Sequence, residues 1–93
     1  MNQHEVSRPW FWLRGKAGAG IALAEVRREA GLTQAQLAAQ VGIERTTILN
    51  MEAGRNTTIN RFVDIINRLG YDLIAVPRGA RVSVTVDGED GAE

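Results

Sequence analysis

Side chains that could catalyse a reaction are few in this chain of 93 residues, and the sequence does not group them. There is no cysteine, which excludes disulfides, thiolate metal sites and cysteine nucleophiles, and the single histidine is His4 near the N-terminus. The sequence contains no nucleophile beside a base, no carboxylate dyad, no glycine-rich phosphate loop and no metal-ligand cluster. We therefore expect no enzyme, no catalytic residues, no cofactor and no metal.

Binding chemistry is better represented, because basic side chains are unevenly distributed along a chain whose formal net charge is zero. Four acidic residues lie in the last seven positions, so residues 1–86 hold eleven basic and seven acidic side chains, a formal charge of +4. Between Arg14 and Arg61 there are seven basic and four acidic residues. A nucleic-acid backbone meets this local excess rather than the net charge.

Four short helices are predicted to position these side chains, with apolar residues recurring at helical spacing and caps or glycines at the ends. They cover residues 21–30, then the stretch from the cap Thr33 to Gly42, residues 45–53, and the stretch from the cap Thr58 to Gly70. Gln36 completes a capping box with Thr33. Their predicted buried faces consist of Leu23, Val26, Arg27 and Ala30, then Leu37, Ala38 and Val41, then Ile48 and Met51, and finally Ile59, Phe62, Ile65, Ile66 and Leu69.

The second and third helices satisfy the spacing rule of two helices that cross steeply through a short turn. Ala38 is the small residue needed where the helices cross, and Gly42, four positions later, tolerates the positive φ that the turn requires. Ile43, Ile48 and Met51 then recur where the inner face of the next helix must be apolar. These separate requirements are met together, which indicates a helix-turn-helix centred on residues 33–54.

The same stretch resembles the helix-turn-helix of the lambda repressor/Cro, or Xre, family. The matching motifs are GLTQAQLA at residues 31–38, VGI at 41–43, Thr47-Ile48 and MEAG at 51–54, and the resemblance spans roughly residues 20–70. It implies a mostly α fold, a lambda-repressor-like bundle of four to five short helices with a C-terminal β-strand or hairpin that pairs in a dimer. It also implies that the protein binds double-stranded DNA.

The resemblance assigns roles to residues of the third helix, which would lie in the major groove with its first residues toward base edges. Arg45, Thr46 and Asn50 would face the DNA, Arg45 reading guanine and Asn50 reading adenine. Gln34 would contact a phosphate from the start of the second helix, and Thr47 could do the same from the third. Further backbone contacts are expected at Arg55 and Asn56, and a buried structural ion pair between Arg27 and Glu52.

Two residues depart from the family pattern. Glu44 stands where the family usually has a serine, threonine or aspartate cap, so it either reads cytosine or lowers affinity by its charge near phosphates. Ala24 stands where many relatives carry an arginine, which removes one phosphate contact.

Two β-type runs follow the helices, at residues 73–76 and 82–86, joined through the turn-forming sequence PRGA at 77–80. An isolated hairpin is marginal in water, so we expect these strands to pair across a dimer, although pairing within the chain stays open. The predicted dimerisation residues are Leu73, Ile74, Val76, Val82, Val84 and Val86. A strand in this place resembles the Hip-type antitoxins (HipB-like), which implies an autoregulating repressor that holds a HipA-type kinase toxin.

The ends of the chain complete the predicted organisation. Residues 1–20 form an N-terminal segment with an aromatic cluster, Trp10, Phe11 and Trp12, and a glycine-rich stretch that reads as a flexible link. The aromatic cluster packs over the bundle or the strands, or else forms a partner-binding patch. The remaining predicted units are the DNA-binding domain at 21–70, the strands at 71–86 and an acidic disordered tail at 87–93.

The function predicted from the sequence is that of a sequence-specific repressor acting as a homodimer on an inverted repeat, the preferred subtype being an autoregulating antitoxin. A phage-type or restriction-controller repressor is the alternative within that class. The second class is a partner-binding inhibitor module that has lost DNA binding, which the zero net charge, Glu44 and Ala24 favour. We find no signal peptide and no apolar run of the ~20 residues that span a bilayer, so we expect a cytoplasmic protein.

Overall fold

The structure, a computed structural model, describes residues 10–55 and 57–86. In these residues it contains four helices: α1 (Gly15–Glu29), α2 (Gln34–Val41), α3 (Arg45–Glu52) and α4 (Ile59–Arg68). All four helices predicted from the apolar spacing are therefore present. None of the helices in the described residues is long and apolar enough to cross a membrane.

The first helix begins at Gly15, six residues before the predicted start, and the prediction of a flexible link in the glycine-rich segment is wrong. Gly20 explains why glycine is needed inside this helix. A Cβ atom at this position would lie 2.5 Å from the carbonyl oxygen of Glu52 and 2.8 Å from that of Met51, far inside van der Waals contact. The glycine allows the backbone of α1 to approach the C-terminal end of α3, which a side chain would prevent.

The second helix has the ends that its sequence predicts. The hydroxyl of Thr33 accepts a hydrogen bond from the backbone N–H of Gln36 at 3.0 Å, and the Gln36 side chain accepts one from the backbone N–H of Thr33 at 2.8 Å. At the other end, Gly42 adopts φ +75°, and the following N–H of Ile43 donates to the carbonyl of Ala38 at 3.0 Å. This left-handed residue turns the chain directly into α3.

The core lies between the four helices and is built from residues that the helical spacing selects. Burying each large aliphatic side chain contributes about 1.5–3 kcal/mol. Ala30 and Ile59 were predicted in the apolar faces and are exposed instead, since each lies at a helix end beyond the edge of the core. The buried cluster consists of Leu23, Val26, Leu37, Ala38, Ile48, Met51, Phe62, Ile65 and Ile66.

After α4 the chain continues as a segment in which the structure assigns neither helix nor strand, residues 71–86, called the arm below. Tyr71 and Leu73 pack against the core, and the predicted turn is present, with the N–H of Ala80 donating to the carbonyl of Pro77 at 3.1 Å and Gly79 at φ +88°. The two β-type runs do not form a ladder with each other in the described residues. Neither the C-terminal strands nor their pairing, within one chain or between two, is confirmed by the described residues, and pairing between two chains stays a prediction.

Candidate nucleic-acid interface

The exposed face of α3 carries most of the side chains predicted to read DNA. Arg45, Thr46 and Asn50 are exposed, whereas Thr47 is half-buried at the edge of the face. At about 100° per residue, residues 45, 46, 49, 50 and 53 fill one arc of about 140°. Ile48 and Met51 point to the opposite side and anchor the helix in the core. The arc therefore lies on a helix whose other side is packed in the core, and its side chains are accessible to a ligand.

One residue of this arc was missed at the sequence level. Leu49 lies between Arg45 and Ala53 in the arc, and 40% of it remains exposed. The sequence signal that could have identified it is that position 49 falls outside the buried side of α3, which Ile48 and Met51 occupy. An exposed aliphatic side chain on a polar helix face can contact a thymine methyl group in the major groove.

The N-terminus of α3 has no side-chain cap. Glu44 has the extended backbone of an N-cap residue, but its side chain makes no capping hydrogen bond. The exposed carboxylate of Glu44 lies at the N-terminal end of α3, next in the chain to Arg45, the first residue of the arc. The other departure from the family pattern, Ala24, is buried in α1.

Gln34, the first residue of α2, is held in place by a hydrogen bond to Glu52 of α3. Its half-buried side chain donates from Nε2 to Oε1 of Glu52 at 3.0 Å, which leaves the second N–H of the amide for a ligand. The backbone N–H groups of Gln34 and Ala35 are first-turn donors without an intrahelical acceptor. Together with the helix dipole they favour an anion at this end of α2.

Beneath this surface, the predicted ion pair joins α1 to the end of α3. Arg27 donates to Glu52 through two contacts, Nε to Oε2 at 2.6 Å and Nη2 to Oε1 at 3.0 Å, and its Nη1 donates to the carbonyl of Leu32 at 2.8 Å. The two side chains are only 9% and 7% exposed. Glu52 thus accepts from both Arg27 and Gln34, so one carboxylate connects three helices.

The ionisation of this pair favours the charged form of both groups. The hydrogen bond to Glu52 raises the pKa of Arg27, against an opposing effect of burial. Burial by itself would raise the pKa of Glu52, but the hydrogen bonds from Arg27 and Gln34 and the charges of Arg27 and Arg28 outweigh it. The pKa of Glu52 therefore lies below its ordinary value.

At the other end of α3, Asn50 and Arg55 contact each other directly. The Nη1 atom of Arg55 donates to Oδ1 of Asn50 at 2.8 Å, and the backbone N–H of Arg55 donates to the carbonyl of Asn50 at 2.9 Å. The sequence predicts separate roles for these residues and gave no reason to expect a contact between them. Asn56, the remaining predicted backbone contact, lies outside the described residues.

A second surface brings together the aromatic cluster and the predicted dimerisation residues. Trp10 and Trp12 meet edge to face with ring centroids 5.9 Å apart, and the guanidinium of Arg14 lies 4.9 Å from the Trp12 ring. Both tryptophans are nearly half exposed, at 47% and 44%, while Phe11 packs against the core. They line a largely apolar groove of about 660 Å³ together with Leu73, Ile74, Val76, Val82, Val84 and Val86.

Among the residues that the structure describes, no group of three or more His, Cys, Asp or Glu side chains could hold a metal ion. Apart from the carboxylate of Glu44, the chemistry available on the α2–α3 surface is hydrogen-bond donation, positive charge and one aliphatic contact. This set suits recognition of a polyanion with exposed base edges.

The sequence model of the helix-turn-helix family matches residues 23–75, which is more than half of the chain. The chain belongs to this family, in its Xre/lambda-repressor-like branch, a class of DNA-binding transcription regulators. Two solved structures similar to the chain are complexes of HipB with 20mers. A HipB variant with the O2 20mer is 30% identical, with a TM-score of 0.66, covering 75% of this chain and 99% of that one. HipB with the O4 20mer is 28% identical, with a TM-score of 0.65, covering 74% and 99%. No curated protein matches the chain.

Proposed function

We propose that the protein is a sequence-specific transcriptional repressor that binds an inverted-repeat operator as a homodimer in the cytoplasm, without catalysis or a cofactor. The observation that carries the proposal is the open arc of α3, with Arg45, Thr46 and Asn50 exposed on a helix anchored by Ile48 and Met51. The similarity to HipB–20mer complexes over nearly their whole length supports it.

In this proposal α3 lies in the major groove and α2 meets the backbone. Arg45 donates two hydrogen bonds to guanine, which discriminates against a wrong base by about 1–3 kcal/mol. Thr46 contacts a thymine methyl or a phosphate. At the start of α2, the free amide N–H of Gln34 and the first-turn backbone donors hold a phosphate, and the bond to Glu52 fixes the register of that contact to α3.

The proposed dimer forms through the arm. In the described residues no ladder pairs the backbones of residues 73–76 and 82–86, and Ile74 and Val84 are largely exposed. A second copy supplies the missing edge by β-pairing and covers the apolar groove. Two-fold symmetry then places the two copies of α3 about one helical turn, or a multiple of it, apart on the DNA.

Within this class we propose an autoregulating antitoxin, on the similarity to HipB, with a HipA-type kinase toxin as its cognate partner. A phage-type or restriction-controller repressor is the alternative. The neighbouring gene discriminates between them, since an adjacent gene encoding a kinase-like toxin supports the antitoxin and its absence supports the alternative.

The repressor proposal is tested by gel-shift titration of the protein against DNA from upstream of its own gene, at several salt concentrations. We expect sequence-specific binding that weakens as salt rises, because cations on the protein release counterions from the phosphates. Arg45→Ala should weaken specific binding by about tenfold and relax preference at one base pair, since about 1.4 kcal/mol corresponds to tenfold. Its melting temperature should stay unchanged, because Arg45 is exposed.

Arg68→Ala is the matched control. It also removes one exposed guanidinium, but from the last turn of α4, where Arg68 pairs with Asp64 at 3.3 Å. It should leave the base preference unchanged. Absence of sequence preference even at low salt would favour instead the second class, a partner-binding inhibitor module, for which the exposed tryptophans provide the surface.

A further inference from the structure

The contact between Asn50 and Arg55 fixes which way the Asn50 carboxamide faces. A guanidinium group donates hydrogen bonds and accepts none. The side-chain atom of Asn50 that lies 2.8 Å from Nη1 of Arg55 must therefore be the oxygen. The backbone bond between the same two residues, 2.9 Å long, holds Arg55 at this distance. The oxygen of Asn50 consequently points to Arg55 and the NH2 group points away from it.

This orientation leaves Asn50 with donors to offer. Within residues 10–55 and 57–86, its NH2 group has no hydrogen-bond acceptor. Reading adenine with two bonds requires the amide oxygen to accept from N6 while the NH2 group donates to N7. The bond from Arg55 occupies one of the two lone pairs of the oxygen, and the positive charge beside it makes the other a weaker acceptor for N6 while it strengthens the NH2 group as a donor. Guanine presents two acceptors, N7 and O6, at the same edge, which suits a group that only donates.

We propose that Arg55 is a positioning residue that makes Asn50 a donor-only reader, so that Asn50 selects guanine rather than adenine in the major groove. This inference rests on the proposed function, since it requires α3 to lie against base edges. It replaces the adenine contact expected from the sequence. It also gives Arg55 an effect on base identity, which a contact to the phosphate backbone does not have.

The experiment selects bound duplexes from a randomised pool with the wild-type protein, Asn50→Ala and Arg55→Ala, and counts the recovered sequences. The base pair at which Asn50→Ala loses preference is the one that Asn50 reads. We expect guanine to exceed adenine there by about tenfold for the wild type. In Arg55→Ala the freed oxygen should shift the preference toward adenine. Both side chains are exposed, so an unchanged thermal transition verifies that the variants fold.

Two further variants make the test specific. Arg55→Lys keeps a cationic donor that can reach the same oxygen, so the guanine preference should persist. Asn50→Asp keeps the contact to Arg55 as an ion pair but replaces the donor with an acceptor, which should move the preference to cytosine.

Either of two results would overturn the inference. The first is an adenine preference of the wild type at the Asn50-dependent base pair. The second is a uniform loss of affinity in Arg55→Ala with the guanine preference retained, which would make Arg55 a phosphate contact only. If the wild type enriches no duplex at all, the proposed function itself fails.

Discussion

Substituting Glu52 by glutamine tests whether the buried ion pair holds α3 against α1. The carboxylate of Glu52 accepts three hydrogen bonds, two at Oε1 from Arg27 and Gln34 and one at Oε2 from Arg27. A carboxamide has one oxygen, so its NH2 group must face donors on one side whichever way it turns. The substitution keeps the size of the side chain and removes at least one bond and the countercharge of Arg27.

The expected loss of stability follows from the burial of the pair. With side chains 9% and 7% exposed, water cannot replace the lost partner. Breaking a buried pair by removing one member destabilises a protein by about 3–5 kcal/mol. Arg27 keeps its bond to the carbonyl of Leu32, so we expect the lower end, about 3 kcal/mol. For a domain of this size, each kcal/mol lowers the melting temperature by about 4–8 °C, which gives a decrease of roughly 12–24 °C.

Thermal unfolding followed by circular dichroism at pH 7 measures this decrease. Glu25→Gln is the matched control, because Glu25 pairs with Arg28 at 3.2 Å on the exposed side of α1, with side chains more than half exposed. An exposed pair contributes about 0–1 kcal/mol, so the control should lose only a few degrees. Equal melting temperatures for the two variants would refute the argument that the Arg27–Glu52 pair joins the helices.

Three other expectations concern acid stability, helix packing and assembly. Because the pKa of Glu52 is lower in the folded chain than its ordinary value of 4.5, the Arg27–Glu52 pair stabilises the fold fully above that pH. This contribution is lost as the pH falls through the lower pKa of the folded chain. In urea unfolding the free energy of unfolding of the wild type should show this loss, and that of Glu52→Gln should not. Gly20→Ala should lower the melting temperature because its Cβ meets backbone oxygens at 2.5 and 2.8 Å, whereas Gly18→Ala, with nearest atoms at 3.6 Å, should raise stability by about 0.5–1 kcal/mol. Val84→Lys should shift sedimentation toward monomer while Ser83→Lys on the opposite face should not; a fully dimeric Val84→Lys would exclude the arm as the seam.

The helices and their caps could be predicted from the sequence because their causes are local. The Thr33 capping box and the left-handed Gly42 depend on residues within four positions of each other, and the apolar spacing selects the core. The start of α1 could not be predicted in the same way. Glycine lowers helix propensity, which suggested a link, but at Gly20 the deciding factor is the approach of α3, more than thirty residues further along the chain.

The candidate nucleic-acid interface likewise has features that could be predicted from the sequence and features that could not. The resemblance placed Arg45, Thr46 and Asn50 on one helix, and the structure leaves them on one exposed arc. The contact of Asn50 with Arg55 depends on how the chain leaves α3, and no spacing rule specifies which side-chain atoms then meet. In the arm, by contrast, the alternating valines predict strands, but the two runs do not pair with each other in the described residues.

In the proposed dimer, assembly and DNA binding are coupled through the small number of charges on each chain. The arc of α3 supplies Arg45, with Arg55 engaged beside it and the carboxylate of Glu44 at the start of the helix. Few phosphate contacts per copy mean weak binding by one copy, since affinity and its salt dependence both grow with the number of phosphates neutralised. Joining two copies makes the second half-site an intramolecular contact at an effective concentration that can reach the millimolar range. Val84→Lys, which changes no DNA-facing residue, should thus weaken operator binding as well and reduce the steepness of its salt dependence.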